Sequence, residues 1–272
     1  MSKELTNSEV INRKNIAISE LDSLLTSFIN NSDKKYLKKA NLISYWLRTY
    51  SKYLREEEEF NPTNQISYKR GNIIKANFGF NTRSEHGGLH YAVVLDNNNL
   101  HNSPVVTVIP LSSGTEEDTY VRDVYLGNEL YTKIKLKHSS LLANARSRVQ
   151  YNKQLLETLS SSESLNTDEV TNLLSQITDN IQKSQRDIIT LEKYTNEIRR
   201  MKSGSIAMME QVRTISKQRI YVPKSSSDLL YGISLSPESM SAINEQFIKL
   251  FTFCAEAEEH FSQADHKLAA AL

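Results

Sequence analysis

Apolar residues recur at helical spacing through the N-terminal part of the chain, up to about residue 60. One face of the first stretch holds Ile11, Ile18, Leu21, Leu25 and Phe28. Their intervals of three, four and seven residues indicate an amphipathic helix. Asn30 to Asp33 offers a break with N-capping side chains, and a second amphipathic stretch follows to about Leu54. We therefore predict a two-helix N-terminal arm over residues 1–62.

The pattern changes to short apolar runs between about residues 68 and 137. Runs of this length, bounded by turn residues, are typical of β-strands. The predicted strands are 72–78, 91–95 and 105–111, with weaker candidates at 122–126 and 132–136. Glycine and proline concentrate in the same region, as turns require.

Helical spacing returns over residues 138–202. Asn166 and Glu169 form a capping-box pattern at the start of the second helix there. Its apolar stripe runs at near-heptad spacing through Val170, Leu173, Ile177, Ile181, Ile188, Leu191, Ile198 and Met201. We predict an antiparallel helical hairpin with coiled-coil character, inserted into the β-rich domain.

The chain returns to strand-forming residues at 205–215 and then forms a last helix. Ser236 and Pro237 make a good N-cap and first helical position. Its apolar face is predicted from Ile243, Phe247, Leu250, Phe251 and Cys254. The fold class is thus α+β, with a β-rich domain in two segments, 68–137 and 203–262.

The composition limits the possible nucleic-acid sites, disulfide bonds and cellular compartment. The net charge is +1, from 33 basic and 32 acidic residues, so any nucleic-acid site must rest on a local basic patch. With one cysteine, Cys254, an intrachain disulfide is excluded and a reducing compartment is expected. The chain offers no apolar run long enough to span a bilayer. We predict a cytoplasmic protein that is not attached to a membrane.

Motifs in two distant segments carry the chemistry. Arg70-Gly71-Asn72 opens the first strand, and residues 83–91 read RSEHGGLHY. Ser103-Pro104 opens the third strand, and residues 209–220 read MEQVRTISKQRI. In their order and combination these motifs resemble the MazF/PemK family, small ribonucleases of bacterial toxin–antitoxin systems.

The resemblance implies a fold, partners and a site. The fold would be an SH3-like β-barrel with a C-terminal helix, assembled as a homodimer. The partners would be single-stranded RNA and a cognate antitoxin protein. The resemblance assigns catalysis to His90 and Ser112, at positions where the family has Arg and Thr. The residues implied in RNA binding are Arg83, Ser84, Glu85, His86, Gln211, Arg213 and Thr214.

The residue types at these positions suit metal-free RNA cleavage. A serine hydroxyl donates a hydrogen bond to a phosphate oxygen, and an imidazole serves as acid or base near neutral pH. Replacing Arg by His removes a permanent bidentate cation. We therefore predict an endoribonuclease that needs no metal or cofactor and leaves 2′,3′-cyclic phosphate and 5′-OH ends.

Other interpretations stay open. Glu85, His86 and His90 also fit a fragment of a metal site, although their spacing does not favour one. Arg213 and Thr214 also fit purely structural strand positions. At the level of the whole chain, the alternatives are a non-cleaving module on the same fold, which binds RNA, gyrase or an antitoxin-like partner, and a scaffold that acts through its helices.

Overall fold

The computed structural model describes residues 5–161, 166–202 and 204–252. The chain forms two compact units. The first contains the described residues up to Phe60 together with Gly79–Gly88, and the second contains Asn61–Phe78 and the described residues from Leu89 onward. The predicted three-part division into arm, β-domain and hairpin stays a prediction.

The N-terminal arm consists of two helices, as predicted. Helix α1 spans Asn7–Ile29 and begins with a capping box between Thr6 and Glu9. Helix α2 spans Lys34–Glu56 and is capped by Asp33, whose carboxylate accepts from the Lys35 amide at 2.9 Å. No described residue of α1 is fully buried. The predicted apolar face of α1 is therefore covered only in part.

The second unit contains an antiparallel sheet whose strands do not follow one another in chain order. Its strands are β1 Ile73–Asn77, β2 Leu89–Val94, β3 Val105–Ser113, β4 Val124–Tyr125, β5 Ser205–Ala207, β6 Arg213–Ser216 and β7 Ile220–Val222. The strand order is β4-β5-β3-β2-β1-β7, and β6 also pairs with β3. Among the described strands the sheet does not close, since β4 and β7 lie at its ends. The α+β class is confirmed, and the SH3-like barrel stays a prediction.

Alternating side chains of the strands divide the buried residues between two faces. On one face lies a cluster that we call the helix-side core, since residues of three helices join it. It includes Ile73, Val93, Ile109, Leu111, Leu130, Ile134, Tyr194 and Ile243. The opposite face carries the second core, which includes Tyr68, Ala76, Phe78, Ala92, Val108 and Ile215.

Two long helices follow β4 and form a hairpin. Helix α3 spans Glu129–Ser161 and α4 spans Thr167–Arg200, with the predicted capping box at Asn166 and Glu169. The prediction of a strand at 132–136 is wrong, because this segment lies inside α3. Leu130 and Ile134, four residues apart, are both buried, whereas Leu136 is exposed. The burial thus follows the helical period and not the period of two.

The predicted apolar stripe of α4 is only partly correct. Ile177 is buried, but Ile181 and Ile188 are exposed. Polar side chains take their places in the seam between the helices, where Asp187 pairs with Arg148 of α3. Asn180 likewise donates a hydrogen bond to Asn152 at 2.9 Å.

The last helix, α5, spans Pro237–Phe251 and begins at the predicted cap. The Ser236 hydroxyl accepts from the Ser239 amide at 3.2 Å. Ile243 is fully buried in the helix-side core, and Cys254 lies outside the described residues. Among the helices that the structure describes, none is both long and apolar enough for a bilayer crossing.

Candidate functional site

His90 and Ser112 lie on one face of the sheet. β1 pairs His90 with Ala76, a residue of the second core, and directly paired residues of antiparallel strands point to the same face. Along β3 the side chains alternate, so Ser112 shares the face of Val108 and not that of Leu111. Both candidate residues are half-buried. We call this surface the His90 face.

The register of β2 and β3 relates the two residues more closely. Ala92 faces Pro110 across the two strands. The pairing of β2 with β3 ends there, so His90 lies two residues before the paired segment of β2 and Ser112 two residues after that of β3. Pro110 lacks an N–H to donate, and beyond it β3 pairs with β5. Ser112 thus lies where β3 changes its partner strand.

Arg213 belongs to the same face. It pairs with Val108 across β6 and β3, and its guanidinium lies 5.5 Å from the centre of the Phe78 ring, within the range of a cation–π interaction. The guanidinium also donates to the Gln211 side chain at 2.9 Å. Gln211 is therefore an orienting partner of Arg213. The His90 face offers an imidazole, a hydroxyl and a guanidinium.

Thr214 lies on the opposite face from Arg213. It pairs with Thr107, and the two hydroxyls are 3.0 Å apart. Thr107 in turn lines a pocket of about 380 Å³ beside α5, together with Arg70 and Asn244. The structure therefore does not bring Thr214 together with His90, Ser112 and Arg213.

The loop with Arg83, Ser84, Glu85 and His86 lies in the first unit. It is closed at its base by a 2.7 Å hydrogen bond from the Gly88 amide to the Gly79 carbonyl. Gly87 and Gly88 each need to be glycine, for different structural reasons. Gly88 has a φ of 87°, in the left-handed region that favours glycine. A Cβ on Gly87 would meet the Gly79 carbonyl oxygen at 2.8 Å.

Arg70-Gly71-Asn72 has a structural explanation. The Arg70 guanidinium donates to the Leu95 carbonyl and to the Asn244 side chain. The Asn72 amide group donates to the Ser234 hydroxyl at 2.8 Å, and Gly71 has a φ of 81°. The motif thus ties the start of β1 to the segment before α5 and to α5 itself.

The two basic residues after Thr214 are also held by backbone carbonyls. Lys217 is fully buried, and its ammonium donates to the carbonyls of Leu100 at 3.0 Å and His101 at 3.3 Å. Burial lowers the pKa of Lys217, although the charge of Asp96 opposes this. Arg219 donates to the Asn77 carbonyl at 2.9 Å. Lys217 therefore has a structural role.

A cluster that the sequence did not reveal joins the hairpin to the sheet. Lys75 and Tyr91 pair across β1 and β2, and the carboxylate of Glu197 on α4 accepts from both side chains. Burial, followed by the hydrogen bond and charge of Glu197, raises the pKa of Tyr91. The only signal in the sequence is a lysine within an apolar strand. Among the described residues, no group of three His, Cys, Asp or Glu is placed to hold a metal ion.

A comparison with known proteins finds a family match for part of the chain. Residues 69–178 match the model of the PemK-like, MazF-like toxin of type II toxin–antitoxin systems. The matched range holds β1 to β4, α3 and the first part of α4, and is less than half of the 272 residues. No curated protein matches the chain. The match over residues 69–178 is therefore to the same family that the motifs of the chain resemble.

Proposed function

We propose that the protein is the toxin of a toxin–antitoxin system and that it cleaves single-stranded RNA without a metal ion. The observation that carries the proposal is the placement of His90 and Ser112 on one face, within the segment that matches the toxin family. Toxins of this family act with an antitoxin partner. The proposal includes a cytoplasmic location, an SH3-like barrel and a homodimer.

The proposed reaction is a transesterification at one phosphate. The ribose 2′-oxygen attacks the adjacent phosphorus while the bond from phosphorus to the 5′-oxygen breaks. The attacking oxygen loses a proton to a base, and the leaving oxygen gains one from an acid. The products are a 2′,3′-cyclic phosphate and a 5′-OH, so no net proton is consumed.

Each side chain of the His90 face has a role in this step. We assign His90 to proton transfer, because imidazole changes charge near neutral pH. The Ser112 hydroxyl donates a hydrogen bond to a phosphate oxygen as charge develops there. Arg213, oriented by Gln211, supplies positive charge to a phosphate. Arg213 pairs with Val108, and along an extended β3 the positions of Val108 and Ser112 are about 13 Å apart.

The proposal also includes the remaining predicted contacts. Arg83, Ser84, Glu85 and His86 are proposed as RNA contacts from the resemblance alone. Thr214 points to the opposite side of the sheet from the His90 face. Its proposed contact with RNA is therefore on that opposite side.

Cleavage of a short RNA in EDTA tests the proposal. Ser112→Ala should lower the rate by on the order of a hundredfold, the effect of removing one oxyanion donor. Ser113→Ala is the matched control, since Ser113 is the next residue of β3, exposed and pointing to the other side. Equal rates for the two variants would refute the assigned role of Ser112. Products with 3′-OH ends would refute the mechanism.

His90 is tested by its pH profile. His90→Ala should lower the rate by on the order of 10²-fold or more. His90→Arg restores the residue type that the resemblance implies. It should retain RNA binding but lose the dependence of the rate on pH between about 5 and 8, where imidazole titrates. An unchanged profile would assign proton transfer to another group.

The second candidate function is a module that binds RNA without cutting it. The histidine and serine at positions 90 and 112, where the family has Arg and Thr, favour it. Fluorescence anisotropy separates the two candidates. Tight binding of RNA by the wild type, weakened in Arg213→Ala and accompanied by no cleavage, would establish the module and exclude the enzyme.

A further inference from the structure

In the α3–α4 hairpin, the residues of each helix that face the other helix recur at regular intervals. We call this contact between the two helices the seam. The two helices are antiparallel, since Arg148 pairs with Asp187 and Asn152 with Asn180. The least exposed positions recur at alternating intervals of three and four residues, which defines heptad positions a and d. On α3 they are Ala145, Arg148, Asn152, Leu155 and Leu159, and on α4 they are Ile177, Asn180, Ser184, Asp187, Leu191 and Tyr194.

A second apolar row follows each seam by one residue, at heptad position e. On α3 this row is Leu142, Val149 and Leu156, and on α4 it is Leu174, Ile181 and Ile188. The spacing is seven residues throughout. Apart from the half-buried Leu142, these side chains are between 48% and 62% exposed.

The two rows lie on the same side of the hairpin. In an antiparallel helix pair, residues at position g of one helix approach position g of the other, and e approaches e. Tyr151 and Gln176, both at position g, are joined by a hydrogen bond of 3.2 Å. The six e residues therefore form one surface on the other side of the seam. We call it the hairpin face.

The pattern of the hairpin face is that of a bundle helix and not of an isolated pair. A two-stranded seam needs apolar residues at a and d alone, whereas helices of a larger bundle add position e or g. In this hairpin the middle of the a/d seam is polar, with an ion pair and an Asn–Asn hydrogen bond. Its apolar residues there point outward instead.

We propose that the hairpin face packs against the same face of a second copy of this chain, to form an intermolecular four-helix bundle. A twofold contact needs a patch that complements itself, and two parallel apolar rows of equal length meet this requirement. Each row spans 14 residues, about 21 Å of helix. With helices 8–10 Å apart, the face measures roughly 20 Å by 20 Å, which on two copies approaches the ~1,000 Å² of a specific interface.

The charges beside the rows select the pairing of helices. Beside the α3 row, position b holds Arg146 and Lys153, both basic. Beside the α4 row, which ends at Ile188, position b holds Thr171, Thr178, Gln185 and Glu192, none of them basic. Packing α3 on α3 would set Arg146 and Lys153 of the two copies together, although Lys153 also pairs with Glu157. We therefore expect α3 to pack on α4 of the second copy. Arg146 then lies near Glu192 of that copy.

Light scattering and sedimentation of the full chain at micromolar concentration test the proposal. Ile188→Lys places a charge in the face and should lower the molar mass of the assembly, by half where this face is the only contact between two copies. Ile189→Lys is the matched control, because Ile189 is the next residue, is 56% exposed and lies at position f. Its mass should equal that of the wild type. Circular dichroism checks that both variants keep their helices.

A charge exchange tests the orientation. Arg146→Glu should weaken the assembly, and Glu192→Arg in the same chain should restore it. Equal masses for the wild type, Ile188→Lys and Ile189→Lys would overturn the proposal, and would leave the face to the N-terminal arm, to another protein or to solvent. Failure of the double exchange to restore the mass would overturn the pairing of α3 with α4. Neither result depends on RNA cleavage.

Discussion

The Tyr194 hydroxyl provides a sharp test of how the hairpin is held to the sheet. Tyr194 is 1% exposed in the helix-side core, and its hydroxyl donates to the Leu229 carbonyl at 2.6 Å. Tyr194→Phe keeps the ring and its packing but removes the donor from a buried carbonyl. The loss of such a partner costs about 1–3 kcal/mol of unfolding free energy.

Tyr151→Phe is the matched control on the same hairpin. Tyr151 is 47% exposed, and its hydroxyl is 3.2 Å from the Gln176 side chain. Water replaces that partner, so the change should stay within about 0.5 kcal/mol. Urea unfolding followed by circular dichroism measures both variants. Equal small changes would show that the Tyr194 bond adds nothing to stability, contrary to this reasoning.

The pH dependence gives a second check. Burial raises the pKa of Tyr194 to about 12, above the ordinary value near 10. The folded state therefore favours the neutral phenol, so the contribution is complete below about pH 10 and is lost as the pH approaches 12. The stability difference between wild type and Tyr194→Phe should shrink over this range. The other tyrosines titrate in both proteins and cancel in the difference.

Three further predictions concern other polar contacts. Glu129→Gln should lower the melting temperature at pH 7, and the difference should be lost progressively as the pH falls below about 4. Burial raises the pKa of Glu129, but the hydrogen bonds from Lys133, Ser239 and Ser236 outweigh it and lower the pKa overall. Such a lowered pKa stabilises the fold above the unfolded value, and acid removes the effect. A double-mutant cycle on Arg148 and Asp187, each less than a quarter exposed, should give a coupling of about 1–2 kcal/mol. Lys217→Met should destabilise the fold by about 1–3 kcal/mol and leave RNA binding unchanged.

Each of these has an outcome that contradicts it. A Glu129→Gln difference that persists in acid would rule out the carboxylate charge as its cause. The exposed pair Lys153–Glu157, with its charged atoms 3.8 Å apart, is the control for the cycle and should couple by about 0.3–0.5 kcal/mol. A coupling as weak as this for Arg148 and Asp187 would contradict the effect of burial. Weaker RNA binding by Lys217→Met would place the ammonium at the surface.

The parts of the fold that local chemistry determines could be predicted from the sequence. Ser236 and Pro237 specify a helix start on their own, and so do Asn166 and Glu169, because capping needs only neighbouring residues. The three strands β1 to β3 follow from short apolar runs. These elements hold His90 and Ser112.

Where the sequence pattern fits two structures equally well, the sequence could not show which one forms. Position 134 fits a helix and a strand equally well, and only packing against the core decides. Ile181 and Ile188 are as apolar as Ile177, so the sequence could not show that Asn180 and Asp187 fill the seam instead. Which side of the sheet Arg213 and Thr214 face depends on the register with β3, a contact between distant segments.

The meeting of Gly114 and Gly204 has a consequence for how the chain assembles. The Gly114 amide donates to the Gly204 carbonyl at 3.4 Å, so the ends of the excursion through α3 and α4 lie side by side, and β5 pairs with β3 across about ninety residues of sequence. In the unfolded chain, bringing together the ends of this segment of about ninety residues is slow. Helix pairs form from local contacts and fold early. We expect the hairpin to form first and to carry β5 toward β3. Changes that loosen the hairpin should then slow refolding of the sheet.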